Sequence, residues 1–239
     1  MSAPSLSVVA ILPAFNEADG IERLIKCFPQ GDVQRVVVVS DGSSDDTAQR
    51  ARAAGAHVIE HARRMGCGPA IRTGLDFALE QNFDVALIVA GNGKDDPAQV
   101  ERLLKPIRAQ EADLVQGSRY LNGGRTANMP LHRTLGTRAY SFLFSVLCGR
   151  RITDATNGFR ALRLAVLKDP RLNIRQDWLN NYEVESYIFY QAIRLGYRVQ
   201  ETPVSKIYPA GEGYTKMRPF SDWWSHFRPA LLLRFGLRK

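Results

Sequence analysis

The chain has 239 residues, 45% of them hydrophobic and 23% charged, which suffices for one sizeable core and excludes a disordered or low-complexity chain. A net charge of +8 calls for an anionic partner: phosphorylated small molecules, a membrane surface or nucleic acid.

Met1–Ser7 lacks a charged stretch followed by an apolar one, so no secretory signal is visible. Ser7–Leu12 is a β-rich run closed by Pro13, and Glu17–Phe28 follows with helical spacing at Ile21, Leu24, Ile25 and Phe28. Val33–Ser40 is a continuous apolar strand of the kind covered on both faces. Asp41, Gly42 and Ser43 turn the chain, and Ser44 caps a helix that runs towards Ala54. Ala56–Glu60 reads as a short strand, Gly66–Gln81 as a glycine-rich turn entering a helix, and Phe83–Ala90 as another buried strand. Asp96, Pro97 and Gln99 supply an N-cap, a first-turn proline and a glutamine at the third position of a new helix. Asp113–Gly117 closes the series as a fifth strand. This rhythm predicts an α/β fold, a mostly parallel central sheet flanked by helices, with ligands at the carboxyl ends of the strands.

The second half changes character. Gly123–Pro130 reads as a loop, Leu131–Cys148 as an amphipathic helix and Asp154–Arg160 as a loop of small and polar residues. Asn181–Leu195 is helical, Tyr197–Val204 and Ser205–Tyr208 are strand material, and Pro219–Phe235 is a helix. With no repeat and no clear linker, we expect one domain over residues 1–218, with halves of different character at 1–120 and 121–218. Residues 219–239 form a C-terminal amphipathic helix whose tryptophans, leucines and cations suit either an anionic bilayer surface or packing over the sheet. The apolar runs are strand-sized, far below a membrane span. Cys27, Cys67 and Cys148 form no CxxC pair, which indicates a reducing compartment without disulfides or zinc. A soluble, cytoplasmic chain, with peripheral contact to the membrane face as a further reading, is the expectation. His57, His61, His132 and His226 lack metal-ligand spacing and read as ordinary.

Three strand ends carry polar clusters: Pro13 to Glu17, Ser40 to Asp45, and Gly91 to Asp96. An aromatic ring and carboxylates gathered there would grip a base and ribose by stacking and hydrogen bonding. Ser44 and Asp45 are better explained as helix caps. Ten arginines fall between Arg119 and Arg175, and convergent guanidinium forks match a diphosphate; a solvated basic face is the plainer alternative for any single one.

The order of these motifs resembles the family 2 glycosyltransferases of GT-A fold, in the polyprenyl- or dolichyl-phosphate mannose or glucose synthase branch. Leu12-Pro13-Ala14-Phe15-Asn16-Glu17 is similar to that family's opening, and Val39-Ser40-Asp41-Gly42-Ser43-Ser44-Asp45 to its second element. Gly66 to Gly74, Gln116-Gly117-Ser118-Arg119-Tyr120 and Asp154-Ala155-Thr156-Asn157-Gly158-Phe159-Arg160 match its later motifs in the same order. The resemblance implies a nucleotide-binding half at 1–120 and an acceptor-binding half at 121–218, and that Pro13, Phe15, Glu17, Asp41 and Asn92 contact the donor nucleotide. It implies that Arg119, Arg133, Arg160 and Lys216 meet the diphosphate or the acceptor phosphate. Ser40 replaces one of the family's paired aspartates, and Cys67 stands where a lysine is common.

The largest departure is at the metal motif. Where the family usually places Asp-Ala-Asp-Gly-Gln, this chain has Ala90-Gly91-Asn92-Gly93-Lys94, followed by Asp95 and Asp96. An asparagine carbonyl is a legitimate ligand for a hard cation, but one alone would not hold it. Two readings stay open. Asn92, Asp95 and the diphosphate recruit a loosely held Mg²⁺ or Mn²⁺, the reading the resemblance favours. In the other, the Lys94 ammonium stands where the metal would and stabilises the leaving diphosphate.

The implied reaction is inverting transfer of a sugar from a nucleotide sugar to a phosphate-bearing acceptor, a polyprenyl phosphate above all. A hydroxyl acceptor needs a general base, for which Asp154, Glu183 and Glu185 are candidates. A phosphate monoester is already an anion at neutral pH and needs none. The alternatives are a soluble sugar or metabolite acceptor, or a nucleotide-binding relative that has lost catalysis with its metal motif. Nucleic-acid binding rests on charge alone and is not expected.

Overall fold

The computed structural model describes residues 6–208 and 221–238. Its main sheet has seven strands: β1 (Val8–Ala14), β2 (Arg35–Asp41), β3 (His57–His61), β4 (Val85–Ile88), β5 (Leu114–Ser118), β7 (Arg160–Arg163) and β8 (Val199–Pro203). They lie in the order β3-β2-β1-β4-β7-β5-β8, and only β7 runs antiparallel to its neighbours. Helices α1 (Ala18–Lys26), α2 (Thr47–Ala53) and α4 (Val100–Arg108) cover one face. The other face carries α3 (Cys67–Glu80), α5 (Leu131–Cys148), α6 (Glu183–Arg194) and α7 (Ser221–Arg234). Side chains alternate across a strand, so Val8, Ala10 and Leu12 enter one core layer while Val9 and Ile11 enter the other. That is why the inner strands read as unbroken apolar runs.

Two parts of the sequence reading need correction. The loop assigned to Asp154–Arg160 leads straight into β7, which inserts between β4 and β5 with Leu87 opposite Ala161 and Val115 also opposite Ala161. The loop assigned to Gly123–Pro130 contains β6 (Arg125–Ala127), which pairs in parallel with β9 (Ser205–Ile207) to form a separate two-stranded ribbon. This ribbon reaches back to the segment after β4: the Ile207 amide donates to the Lys94 carbonyl at 2.8 Å, and Asp95 bridges to Lys206.

The C-terminal helix α7 packs on α5 and α6, with Ser225, Ala230 and Leu233 buried. Of the two readings of that segment, its inner face follows the packing one.

Helix α3 crosses β1 at Gly74, where a Cβ would sit 2.2 Å from Ile11 Cγ2. Ile11 is fully buried and cannot yield. Gly74→Ala should therefore destabilise the protein by about 1–3 kcal/mol in urea unfolding, as overpacked cores do. Gly20, inside α1 with nothing near its Cβ position, makes the control: Gly20→Ala should gain up to about 1 kcal/mol.

Candidate active site

A cavity of about 660 Å³ opens at the carboxyl ends of β1, β2 and β4. Its first wall is built by two crossing loops. Asn16, left-handed at φ 52°, accepts from the Ser44 amide at 2.9 Å, and Thr47 Oγ1 accepts from the Glu17 amide at 2.8 Å. Asp45 accepts from the Ala18 amide at 3.1 Å as well as from Thr47, so it caps α1 across the loop besides serving its own helix. This bracing holds Pro13, Phe15 and Glu17 on the cavity rim.

Asp41 ends β2 beside them. Its carboxylate accepts from the amides of Met65 (2.8 Å) and Gly66 (2.7 Å) and meets His61 Nδ1 at 2.8 Å. The other ring nitrogen of His61 reaches Thr73 Oγ1 on α3 at 3.0 Å. Gly42, at φ 65°, lets the 63–66 segment come this close, since a Cβ there would lie 2.3 Å from the Arg64 nitrogen. Asp41 thus shapes the loop and keeps about one of its four acceptor sites for the cavity. The same loop lays the Arg64 guanidinium 4.1 Å from the centre of the Phe15 ring, a flat cationic and aromatic wall.

The second wall is the segment after β4. Asn92 is exposed at the cavity edge, and its Oδ1 accepts from the Lys94 amide at 3.2 Å. Asp95 is only 2% exposed, and both its oxygens bind Lys206 Nζ, at 2.7 and 2.8 Å. A third donor of that ammonium reaches Asn157 Oδ1 at 3.0 Å. Of the expected metal ligands, Asp95 is already paired with Lys206 and Asn92 offers a neutral carbonyl. Among the described residues, no three histidine, cysteine, aspartate or glutamate side chains gather. This is a poor donor set for a divalent ion, which in a phosphate site still takes one or two carboxylates beside the substrate oxygens.

Cations stand there instead. The Lys94 ammonium and the Arg133 guanidinium each lie 5.5 Å from the centre of the Tyr208 ring, and both line the cavity. Burial, with Lys206 and Arg133 nearby, pushes Lys94 down to about 8.

The third wall centres on Arg119 at the end of β5. Nε and Nη2 bind the two Asp154 oxygens at 2.7 and 2.8 Å, and Nη1 donates to the Tyr208 hydroxyl at 2.9 Å. Asp154, the expected base, is fully buried and also accepts from the Arg119 amide and Thr156. Burial raises its carboxyl, but Arg119 outweighs this and holds it below the ordinary range. A carboxylate so occupied and so weakly basic positions Arg119 and is badly placed to accept a proton. Arg160, expected at a phosphate, is 2% exposed and lies outside the cavity, donating to the carbonyls of Glu185 and Asn157 at 2.8 Å each. Its sheet position makes it a core strut. Glu183 pairs with Arg228 at 2.7 Å, and Glu185 lies 3.4 Å from Arg160. Lys216 lies outside the described residues.

Several residues in or behind the cavity wall escaped the sequence reading. His61 and His226, taken as ordinary, both serve this region: His61 fixes Asp41, and His226 stacks on Tyr182 at 4.9 Å in the cavity wall. Burial drives His226 down to about 3, so its ring is neutral. Lys206, Tyr208 and the α7 residues Asp222 and Trp223 complete the lining. Only the strand pattern at Ser205–Tyr208 hinted at the first two.

The family model for glycosyl transferase family 2 matches residues 9–169. An undecaprenyl-phosphate mannosyltransferase of Micrococcus luteus is 32% identical over 84% of this chain and 83% of its own length. A polyprenol monophosphomannose synthase of Mycolicibacterium smegmatis is 28% identical over 84% and 78%. Among solved structures, glucosyl-3-phosphoglycerate synthase of Mycobacterium tuberculosis, in complex with Mn²⁺, uridine diphosphate and phosphoglyceric acid, superposes with a TM-score of 0.71 at 22% identity, covering 98% of this chain and 80% of that one. The sheet order, the cavity at its strand ends and the family match agree: the chain belongs to glycosyl transferase family 2 and is a glycosyltransferase of GT-A fold.

Proposed function

We propose that this glycosyltransferase moves a sugar from a nucleoside-diphosphate sugar to the phosphate of a polyprenyl phosphate at a membrane surface, with inversion at the anomeric carbon. The observation that carries the reading is the character of the catalytic end of the cavity. Its walls bring together Lys94, Arg119, Arg133 and Lys206, with Asp154 behind Arg119 and Asp95 behind Lys206, while Glu185, the base candidate that lines the cavity, lies 3.4 Å from Arg160. A site of that kind is built for phosphate against phosphate. An acceptor phosphate oxygen attacks the anomeric carbon, the bond from that carbon to the β-phosphate oxygen breaks, and the nucleoside diphosphate leaves with the electron pair. No proton is transferred, so no base is required. Phe15 and Arg64 stack the base, Asp41 and Glu17 accept from base or ribose, and Arg133 receives the acceptor phosphate with Arg119 behind it. The two relatives whose names carry polyprenyl or undecaprenyl phosphate support this acceptor over a soluble one.

Helix α5 supports the membrane part. Its inner face brings Arg133 and Thr137 to the cavity, while Leu131, Leu135, Phe142 and Val146 are all at least 60% exposed on the opposite face. Exposed Arg138, Arg150 and Arg151 accompany this apolar stripe. No helix among the described residues is long and apolar enough to cross a membrane. An amphipathic helix lying in an anionic interface fits both the stripe and the cations, and sets the cavity mouth at headgroup level.

Radiolabelled transfer from a panel of UDP- and GDP-sugars into undecaprenyl phosphate in mixed micelles tests the reaction. Lipid-linked product is expected; transfer only to a water-soluble phosphate such as phosphoglycerate would overturn the acceptor assignment, and no transfer to either would favour a chain that has lost catalysis. Arg133→Ala should raise the acceptor KM about 10-fold or more, the worth of a charge-assisted hydrogen bond. The double change Leu135→Glu, Phe142→Glu should abolish co-sedimentation with anionic vesicles and leave transfer to a short-chain, water-soluble prenyl phosphate unchanged.

A further inference from the structure

Resting on that reading, we propose that Lys94 supplies the positive charge which a divalent ion would bring to the leaving diphosphate, so that this enzyme binds its nucleotide without a metal. The argument begins with what the post-β4 segment lacks. Ala90 offers a methyl group, Asn92 a neutral carbonyl that also accepts from an amide, and Asp95 a carboxylate closed by Lys206. An ion bound to Asp95 would have to displace the Lys206 ammonium from a buried pair, and one bound to Asn92 would gain only a neutral ligand in the segment that carries Lys94. Both positions oppose it.

The segment is equally notable for how firmly it holds Lys94. Its amide hydrogen-bonds to Asn92 Oδ1, and its carbonyl accepts from the Ile207 amide at 2.8 Å. The next residue bridges to β9 and is pinned by the Lys206 ion pair. Gly91 packs where a Cβ would come within 2.9 Å of the Pro13 carbonyl, so the segment is also seated on β1. The result is a backbone fixed at the cavity wall before substrate arrives, with the ammonium 5.5 Å from the Tyr208 ring, and a charge carried on such a base stabilises a developing anion with little reorganisation. Arg133, beside the same Tyr208 ring, brings a second positive charge between the leaving diphosphate and the arriving phosphate. Together they match the two charges of the ion they replace.

Calorimetric titration of the purified full chain with UDP and GDP, in EDTA and again in Mn²⁺ or Mg²⁺, tests this directly. One nucleotide should bind with an affinity that changes by less than about 3-fold between the two conditions. Lys94→Gln should weaken it about 10-fold or more, with no recovery in metal, while Lys94→Arg keeps the charge and stays near wild type. Binding only in the presence of metal overturns the proposal and leaves the transferase reading intact. Wild-type affinity in Lys94→Gln, or equal loss in both variants, also overturns it. No binding of either nucleotide in any condition, from a chain with a cooperative melt, overturns both this proposal and the transferase reading.

Discussion

The buried pair between Asp95 and Lys206 organises the site. It joins residues 111 positions apart, and so ties the nucleotide side of the molecule to the ribbon that closes the second half. Removing two charges from water costs several kcal/mol per ion, and the pair persists because Asn157 satisfies a further donor of the ammonium. Deleting either partner alone would leave a buried charge uncompensated, a loss of about 3–5 kcal/mol. The pair also has a chemical consequence: it commits the buried carboxylate of Asp95, three residues from Asn92, to the fold.

Arg119 and Asp154 form a second clasp of the same kind. They join the end of β5 to the loop that leads into β7, with Tyr208 and Thr156 sharing the guanidinium. Both clasps converge on the Tyr208 neighbourhood, because Tyr208 follows Lys206 by two residues and strand alternation puts them on one side. The cavity therefore lies between two fixed ion pairs, and its free volume is bounded by groups that do not need to move when a substrate enters. Such a frame suits phosphate chemistry, in which positioning and charge do most of the catalytic work.

Much of the fold was legible in the sequence because its signal is local. The parallel strands β1, β2 and β4 are buried on both faces, and continuous apolar runs announce that state. The helices carried their own caps and spacing, as at Asp96 and Pro97. β7 was hidden for a physical reason: it has four residues, begins and ends in arginine, and gains its strand character wholly from β4 and β5 on either side. Arg160 misled for the same reason, since a guanidinium in the core is stabilised by two backbone carbonyls that only the folded chain brings to it. The rim residues Pro13, Phe15, Glu17 and Asp41 were legible because they follow strands directly. Lys206, Tyr208 and His61 were not, since their partners lie across the fold.

An exchange of a carboxylate-held ion for Lys94, as proposed, would alter more than the metal requirement. A divalent ion is itself a ligand: it arrives with the nucleotide, chelates two phosphates at short distances and leaves with the product. An ammonium is a single, strongly hydrated charge on a flexible stem, and its usefulness depends on how well the backbone beneath it is held. That dependence accounts for the design of the post-β4 segment, where Gly91 seats the chain on β1, Asn92 turns it, and β9 fixes it on the far side. The rigidity that a metal site would place in its coordination sphere is placed here in the peptide chain. On that proposal, the tie between Asp95 and Lys206 would be the counterpart of a ligand set, since it pins the segment that carries Lys94.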